Sequence, residues 1–544
     1  MNEFSAGTSR RRFLQIGAVT GAALLLPETL AACSPSPSNS KSKSNVLVVA
    51  ALTTPANIDQ DLDTSAQSHE VRMNTMERLM AYALEPSPQP GVQQENFKKI
   101  EPRLAERWTV NADQTEITFN LRQGVTSPWG NTMDAEDVKW TWDRAWALNA
   151  VGSFYLRSVL RMTQPNWKVL DKHTIRLTVP NPSPVLPTLW INMDLGIFDS
   201  KEAKKHATSD DPWARKWIAQ NSPSFGPYQV TTWSPGSQVV LTAWAKHYRG
   251  APSIGRVVFQ QVPESSNRLS LVNTGAAQIA EDLSPRDFAT GAKPGKVKAV
   301  SLSGNAIYRV EFDNKSAPFD KSLVRQALNY AVDRKAMIDG PFAGLADVCK
   351  SPLPPTYPGY TGEFFKFSHD VAKAKALLAQ AGYSKGFSAT LSYRADSAVE
   401  DQMARAIQTS LGEVGVQLSL SKQASSTYLQ NILTHKFPMY LYVDSSILPN
   451  PSYALNLWLN SSSAIDYSRY ENAQVNKSIN EMLTTLDESK GLELAKQVQE
   501  LVMQDPPWIY LVNPGYHVLL SSNVDGFAWR TPINPIEYRN LTLS

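Results

Sequence analysis

The chain has 544 residues, more than one ordinary domain holds, and its length suggests about two to four units. Hydrophobic residues make up 42% and charged residues 19%, so a folded protein with ample core is implied. The net charge is only +3 and no basic block occurs, which argues against a nucleic-acid partner. No apolar run reaches the roughly 18 residues that cross a bilayer.

The N-terminus reads as an address. Residues 9–15 are Ser-Arg-Arg-Arg-Phe-Leu-Gln, in which Arg10 and Arg11 resemble the pair of a twin-arginine export signal. The apolar stretch Ile16 to Leu26 is too short to span a membrane and suits a signal core. Leu30-Ala31-Ala32-Cys33 then resembles a lipobox, where small residues admit a signal peptidase and the thiol receives a diacylglyceryl group. The resemblance implies a lipoprotein signal over residues 1–33, with Cys33 as mature N-terminus and lipid attachment point. Residues 34–45, rich in Ser, Pro, Asn and Lys, read as a flexible tether. Two acyl chains hold a protein at a membrane where one does not. The expected location is therefore the outer face of the cytoplasmic membrane. The second cysteine, Cys349, reads as a small buried hydrophobe.

Beyond residue 45, strand and helix patterns alternate, which predicts an α/β class. Val46–Leu52 is a continuous apolar strand. Thr115–Arg122 and His173–Val179 alternate, with Ile117, Phe119, Leu121 and Ile175, Leu177, Val179 facing one way. Further strands are predicted at 238–243 and 256–262. Asp320 is the expected cap of a helix carrying Val324, Ala327, Leu328 and Ala331 inward. Asp370 is expected to cap a second helix, stopped at Gly382. A third helix places Met403, Ile407, Leu411 and Val414 on one face. It lies between strands near 388–393 and 416–420, a βαβ pattern that predicts parallel pairing. Ligands usually sit at the C-terminal ends of such strands.

Several segments, in order, resemble the extracytoplasmic solute-binding proteins of family 5, the oligopeptide, dipeptide and nickel class. They are Pro102 to Trp108, Thr115 to Gly124, Asp134 to Trp140, Phe225-Gly226-Pro227-Tyr228, Phe319 to Arg334, Ala372 to Tyr383 and Gly412 to Val416. The resemblance spans essentially the whole chain after residue 45. It implies a two-lobed periplasmic-binding-protein-like fold of the class II, cluster C type. Lobe I would hold residues 46–306 and 512–544, lobe II residues 307–511, with a hinge of two crossing segments and a ligand cleft between them. It also implies a monomer that delivers its ligand to ABC permease subunits served by a cytoplasmic ATPase.

By local alignment with dipeptide-binding relatives, Arg394 falls at the arginine that takes a peptide carboxylate. A guanidinium suits that task because it forks onto a carboxylate with two charge-assisted bonds. In those relatives a cleft segment supplies an aspartate for the peptide's amino terminus. Here Ile447 stands at that position, and Asp444, three residues earlier, is the candidate substitute. The neighbouring Ser445 and Ser446, and Thr54 after the first strand, complete the expected ligand-binding set. Of 14 tryptophans, 11 fall between Trp108 and Trp244, where core packing is a commoner role than stacking on a ligand.

An exported enzyme and a peptide-sensing receptor are the competing classes. The chain has no His-Glu-x-x-His zinc motif and no Gly-x-Ser-x-Gly elbow. Gly291 to Lys296 lacks Walker spacing and is followed by Val297. No enzymatic activity, cofactor or metal site is expected. A peptide or peptide-like ligand is the primary expectation; an oligosaccharide, an opine-like conjugate or chelated nickel are the alternatives.

Overall fold

A computed structural model describes residues 45–463, 465, 467–530 and 535–544. Arg10, Arg11, Cys33 and nearly all of the tether lie outside the described residues. Among the described residues no helix is long and apolar enough to cross a membrane.

Two large sheets organise the unit from Asn45 onward. The seven-stranded sheet of lobe I has Val46–Ala51 at its centre, parallel to Arg256–Gln261 on one side and Ile279–Ala280 on the other. Its apolar VLVVAA sequence fits a strand covered on both faces, with Leu47, Val49, Ala50 and Ala51 wholly buried. The six-stranded sheet of lobe II runs in the order Ala346–Val348, Trp508–Pro514, Ile307–Phe312, Met439–Asp444, Ser388–Arg394, Gln417–Gln423. Within it Ser388–Arg394 and Gln417–Gln423 pair in parallel around the helix Ala398–Gly412, as the βαβ pattern predicts. That helix buries Met403, Ile407 and Leu411 completely.

A smaller four-stranded antiparallel sheet belongs to lobe I and includes Glu116–Leu121 and Thr174–Thr178. Its inward residues Ile117, Phe119, Ile175 and Leu177 are fully buried. The tryptophans gather on this face. Trp142 lies 4.8 Å from Trp190 and 5.9 Å from Trp167 between ring centroids; Trp142 and Trp190 are core, and the partly buried Trp167 packs against them.

Helix ends follow local chemistry. Asp370 accepts from the Lys373 amide and caps Val371–Gln380, and Gly382 adopts φ +90° just beyond its end. The expected cap at Asp320 is displaced. Residues 316–320 form a tight turn in which the Asp320 amide bonds Ser316 O at 3.0 Å, and the helix Ser322–Ala331 starts after Lys321 without a side-chain cap.

Two crossings join the lobes. The first runs from Val297–Leu302 in lobe I to Ile307–Phe312 in lobe II. The second leaves Trp508–Pro514 in lobe II and enters Tyr516–Ser521 in lobe I. Sheet pairing carries the outgoing strand to Pro514, past the expected limit at 511, because Asp347 and Ala346 pair with Asn513 and Pro514. The crossings press together at glycines: a Cβ on Gly304 would lie 2.0 Å from Pro514 O. Asn513 Nδ2 also donates to Ala306 O at 2.9 Å. The returning chain is locked into lobe I by Arg530, whose guanidinium reaches Glu537 at 2.6 Å and Glu95 at 3.2 Å.

Candidate ligand site in the interlobe cleft

A cavity of about 480 Å3 opens beside these crossings and is lined by both lobes. Its lobe I wall comes from three places in the chain. The helix Ala66–Thr75 contributes Gln67 and Glu70, the end of the strand Ile279–Ala280 contributes Glu281 and Asp282, and the return strand contributes Tyr516 and His517. The lobe II wall is mostly apolar: Tyr308, Phe342, Leu345, Val399 and Val443, with Ser445 the hydroxyl among them.

The lobe I wall is strongly acidic. Glu70 is 4% exposed and accepts from the Tyr538 hydroxyl and from the Ile536 amide at 3.3 Å. Burial, only partly offset by those bonds, pushes its carboxyl up to about 7. Glu281 hydrogen-bonds to Glu70, and burial followed by repulsion from Glu70 and Asp282 raises it well above the usual range. Two carboxyls in that arrangement share a proton. Asp282 is exposed, has φ +52°, and accepts from the Leu52 amide at 3.3 Å and from Gln67 Nε2 at 3.4 Å.

The predicted site residues are distributed unevenly. Ser445 lines the cavity. Arg394 ends the strand Ser388–Arg394, and its Nε donates to Glu400 Oε1 at 2.7 Å while Nη2 reaches the same oxygen. Glu400 is fully buried, and the Arg394 side chain is 35% exposed. Arg394 also bonds to Tyr308, whose ring does line the cavity. Asp444 ends the strand Met439–Asp444. Its carboxylate accepts from Trp458 Nε1 at 2.8 Å and from the Ser445 amide at 2.8 Å, and lies 3.7 Å from Arg309 Nη2. Burial raises its carboxyl in spite of Arg309 and Trp458. Ser446 is fully buried; its hydroxyl donates to Leu448 O at 2.9 Å and its carbonyl accepts from Tyr357. Thr54 lies just beyond the end of the central lobe I strand and does not line the cavity; its hydroxyl accepts from the Gly236 amide at 3.0 Å and donates to Gln261 Oε1 at 3.2 Å. Ile447 faces a narrow space beside Arg78, Tyr82 and Glu95.

A second space of about 1080 Å3 lies on the other side of Tyr357, bounded by Glu85, Gln94, Ser301, Pro355 and Trp529. Tyr357 hydrogen-bonds to Asn305, which lines the first cavity, so this pair forms the partition.

The fold and the cleft agree with sequence comparison. Residues 99–466 match the model for bacterial extracellular solute-binding proteins, family 5. The chain belongs to that family. The probable D,D-dipeptide-binding periplasmic protein DdpA of Escherichia coli K12 is 25% identical over 497 residues, covering 90% of this chain and 93% of that protein. Heme-binding protein A of Haemophilus influenzae is 27% identical, covering 79% of this chain and 83% of its own length. Among solved structures, the ABC transporter-associated periplasmic binding protein DppA of Helicobacter pylori, in complex with peptide STSA, superposes with a TM-score of 0.79 at 21% identity, covering 92% of this chain and 98% of that one. As a family 5 protein, this chain is a two-lobed extracytoplasmic solute-binding protein.

The acidic wall is the part that motif reading missed. Glu281-Asp282 follows a strand parallel to the central one, where ligand-facing loops are expected. That strand, Ile279–Ala280, is two residues long and has no pattern to read.

Proposed function

We propose that this protein is the ligand receptor of an ABC importer, capturing a peptide or peptide-like compound in the interlobe cleft. The observation that carries the reading is the 480 Å3 cavity built by side chains of both lobes beside a double crossing. A ligand touching both walls favours the closed arrangement by its contacts in each lobe, and the importer then reads closure. The similar proteins support a peptide class, since the Escherichia coli protein is a probable D,D-dipeptide-binding protein and the Helicobacter pylori protein is in complex with a peptide.

Ser445 is the direct lobe II contact in this reading, and Arg394 positions Tyr308 and presents charge to a ligand carboxylate at the cavity edge. Asp444, Ser446 and Thr54 hold strand ends and loops that shape the walls. Cys33 carries the diacylglyceryl anchor, so the binding unit works at the membrane surface on its tether. The protein acts without turnover.

A thermal-shift screen against dipeptides, tripeptides, oligosaccharides, opines and nickel–histidine tests the ligand class. A ligand present at about 100 times its Kd stabilises the native state by about 2.7 kcal/mol. Stabilisation by peptides is the expected result; stabilisation by sugars alone, or turnover of any bound compound, overturns the reading. Membrane fractionation of a Cys33→Ala variant tests the anchor, which should release the protein.

A further inference from the structure

The cavity lining contains Glu70, Glu281 and Asp282 but, among the described residues, no lysine or arginine. Of the cations close by, Arg394 is paired with Glu400, and Arg268 is turned to the backbone: it donates to the carbonyls of Val262 and Pro263 at 2.6 and 2.8 Å, to that of Glu281 at 2.9 Å, and to that of Asp282. The Tyr516 ring lines the same cavity, and its hydroxyl oxygen is buried with no hydrogen-bond partner among the described residues. A buried hydroxyl left unpaired costs free energy that a ligand can recover. A wall of acids without a countercharge is likewise an unfinished electrostatic arrangement.

Resting on the peptide-receptor reading, we propose that Glu70, Glu281, Asp282 and the Tyr516 hydroxyl form a subsite for a cationic nitrogen of the ligand, an ammonium or guanidinium. The amine anchor is thereby moved from the lobe II segment, where Ile447 stands, to lobe I. The apolar lobe II face opposite, with Phe342, Leu345 and Val443, accommodates the hydrocarbon next to that nitrogen.

In the free protein the proton between Glu70 and Glu281 stands in for the ligand cation. The other titratable groups packed on the pair are Asp282, Tyr516, Tyr538 and Arg268. His517, whose Nε2 faces Leu345 O at 3.0 Å, also lines the cavity, and burial lowers its pKa. Binding a cation therefore expels a proton, and affinity rises as pH climbs through the range in which the pair titrates.

The test uses Ala-Phe and N-acetyl-Ala-Phe as probes, titrated calorimetrically into the purified full chain. The free amine is expected to bind at least about tenfold more tightly at pH 7, with proton release visible as a dependence on buffer ionisation enthalpy. Glu281→Gln should remove most of that preference. Asp282→Asn serves as the second variant, since Asn tolerates the left-handed backbone and the site is exposed. Equal affinity for the two probes, or an unchanged preference in both variants, overturns the subsite and leaves the peptide reading standing. Binding of neither probe, in a protein that binds a non-peptide ligand, ends both.

Discussion

On the lobe II side of the cleft, charged groups arrive already matched. Arg394 is held by the buried carboxylate of Glu400, and Arg309 lies between Glu311 at 2.5 Å and Asp444 at 3.7 Å. On the lobe I side, Glu70, Glu281 and Asp282 crowd together, and burial drives the first two toward their neutral forms. One wall keeps its ions by pairing them; the other gives up charge by protonation. A buried pair collapses when a partner is removed, whereas a crowded acid is relieved when its charge is removed. Identical chemistry, the loss of one charge, should therefore have opposite consequences on the two walls.

The largest effect is expected from Arg394→Ala. It leaves Glu400, which is closed to solvent, without its guanidinium though still bonded to the residue 394 amide at 2.9 Å, and should cost about 3 kcal/mol in a urea unfolding curve at pH 7, the low end for a buried pair because the Arg394 side chain is 35% exposed. A loss below about 1 kcal/mol would show that this pair is not holding the strand end, and the contrast between the walls would fail. Gly304→Ala comes next. The added Cβ has nowhere to go against Pro514 O, so the crossings must part, at about 1–3 kcal/mol. This change alters no charged group and serves to separate hinge damage from charge damage.

Glu70→Gln should act in the opposite sense. The Glu70 carboxyl titrates near 7 when folded and at its ordinary 4.5 when unfolded. A raised acid leaves stability intact below 4.5 and erodes it as pH climbs through about 7. The variant should match the wild type near pH 4 and exceed it by about 1–3 kcal/mol near pH 8. A destabilised variant at pH 8 would mean that the ionised carboxylate is satisfied after all.

Much of the fold is legible in the sequence, because periodicity and capping speak directly. The βαβ unit around Met403, Ile407 and Leu411, the alternation of Ile117, Phe119 and Leu121, and the Asp370 cap all appear where patterns predict. The site is less legible. Its residues come from a helix near 70, a two-residue strand at 279 and a return strand at 516, brought together only by sheet order. Family alignment points to Arg394 and Asp444, yet it carries no information about which neighbours bond to them. Glu400 lies six residues from Arg394, and Trp458 lies fourteen from Asp444. Asp320 shows the same limit on a smaller scale, since a tight turn ahead of the helix overrides a good capping residue.

The smallest effect, and the one that discriminates most finely, belongs to Asp444→Asn. The Asn oxygen can keep the bond from Trp458 or from the Ser445 amide, and Arg309 retains Glu311. Burial already disfavours the Asp444 charge despite Arg309, so removing it should change stability by under about 1 kcal/mol. Affinity for Ala-Phe should move by less than about threefold, because the acids of lobe I remain. A drop of about tenfold or more, confined to the free-amine probe, would place the amine anchor in lobe II three residues before Ile447. The paired wall would then be the one that recognises ligand charge, and the crowded acids of lobe I would be left to a different task.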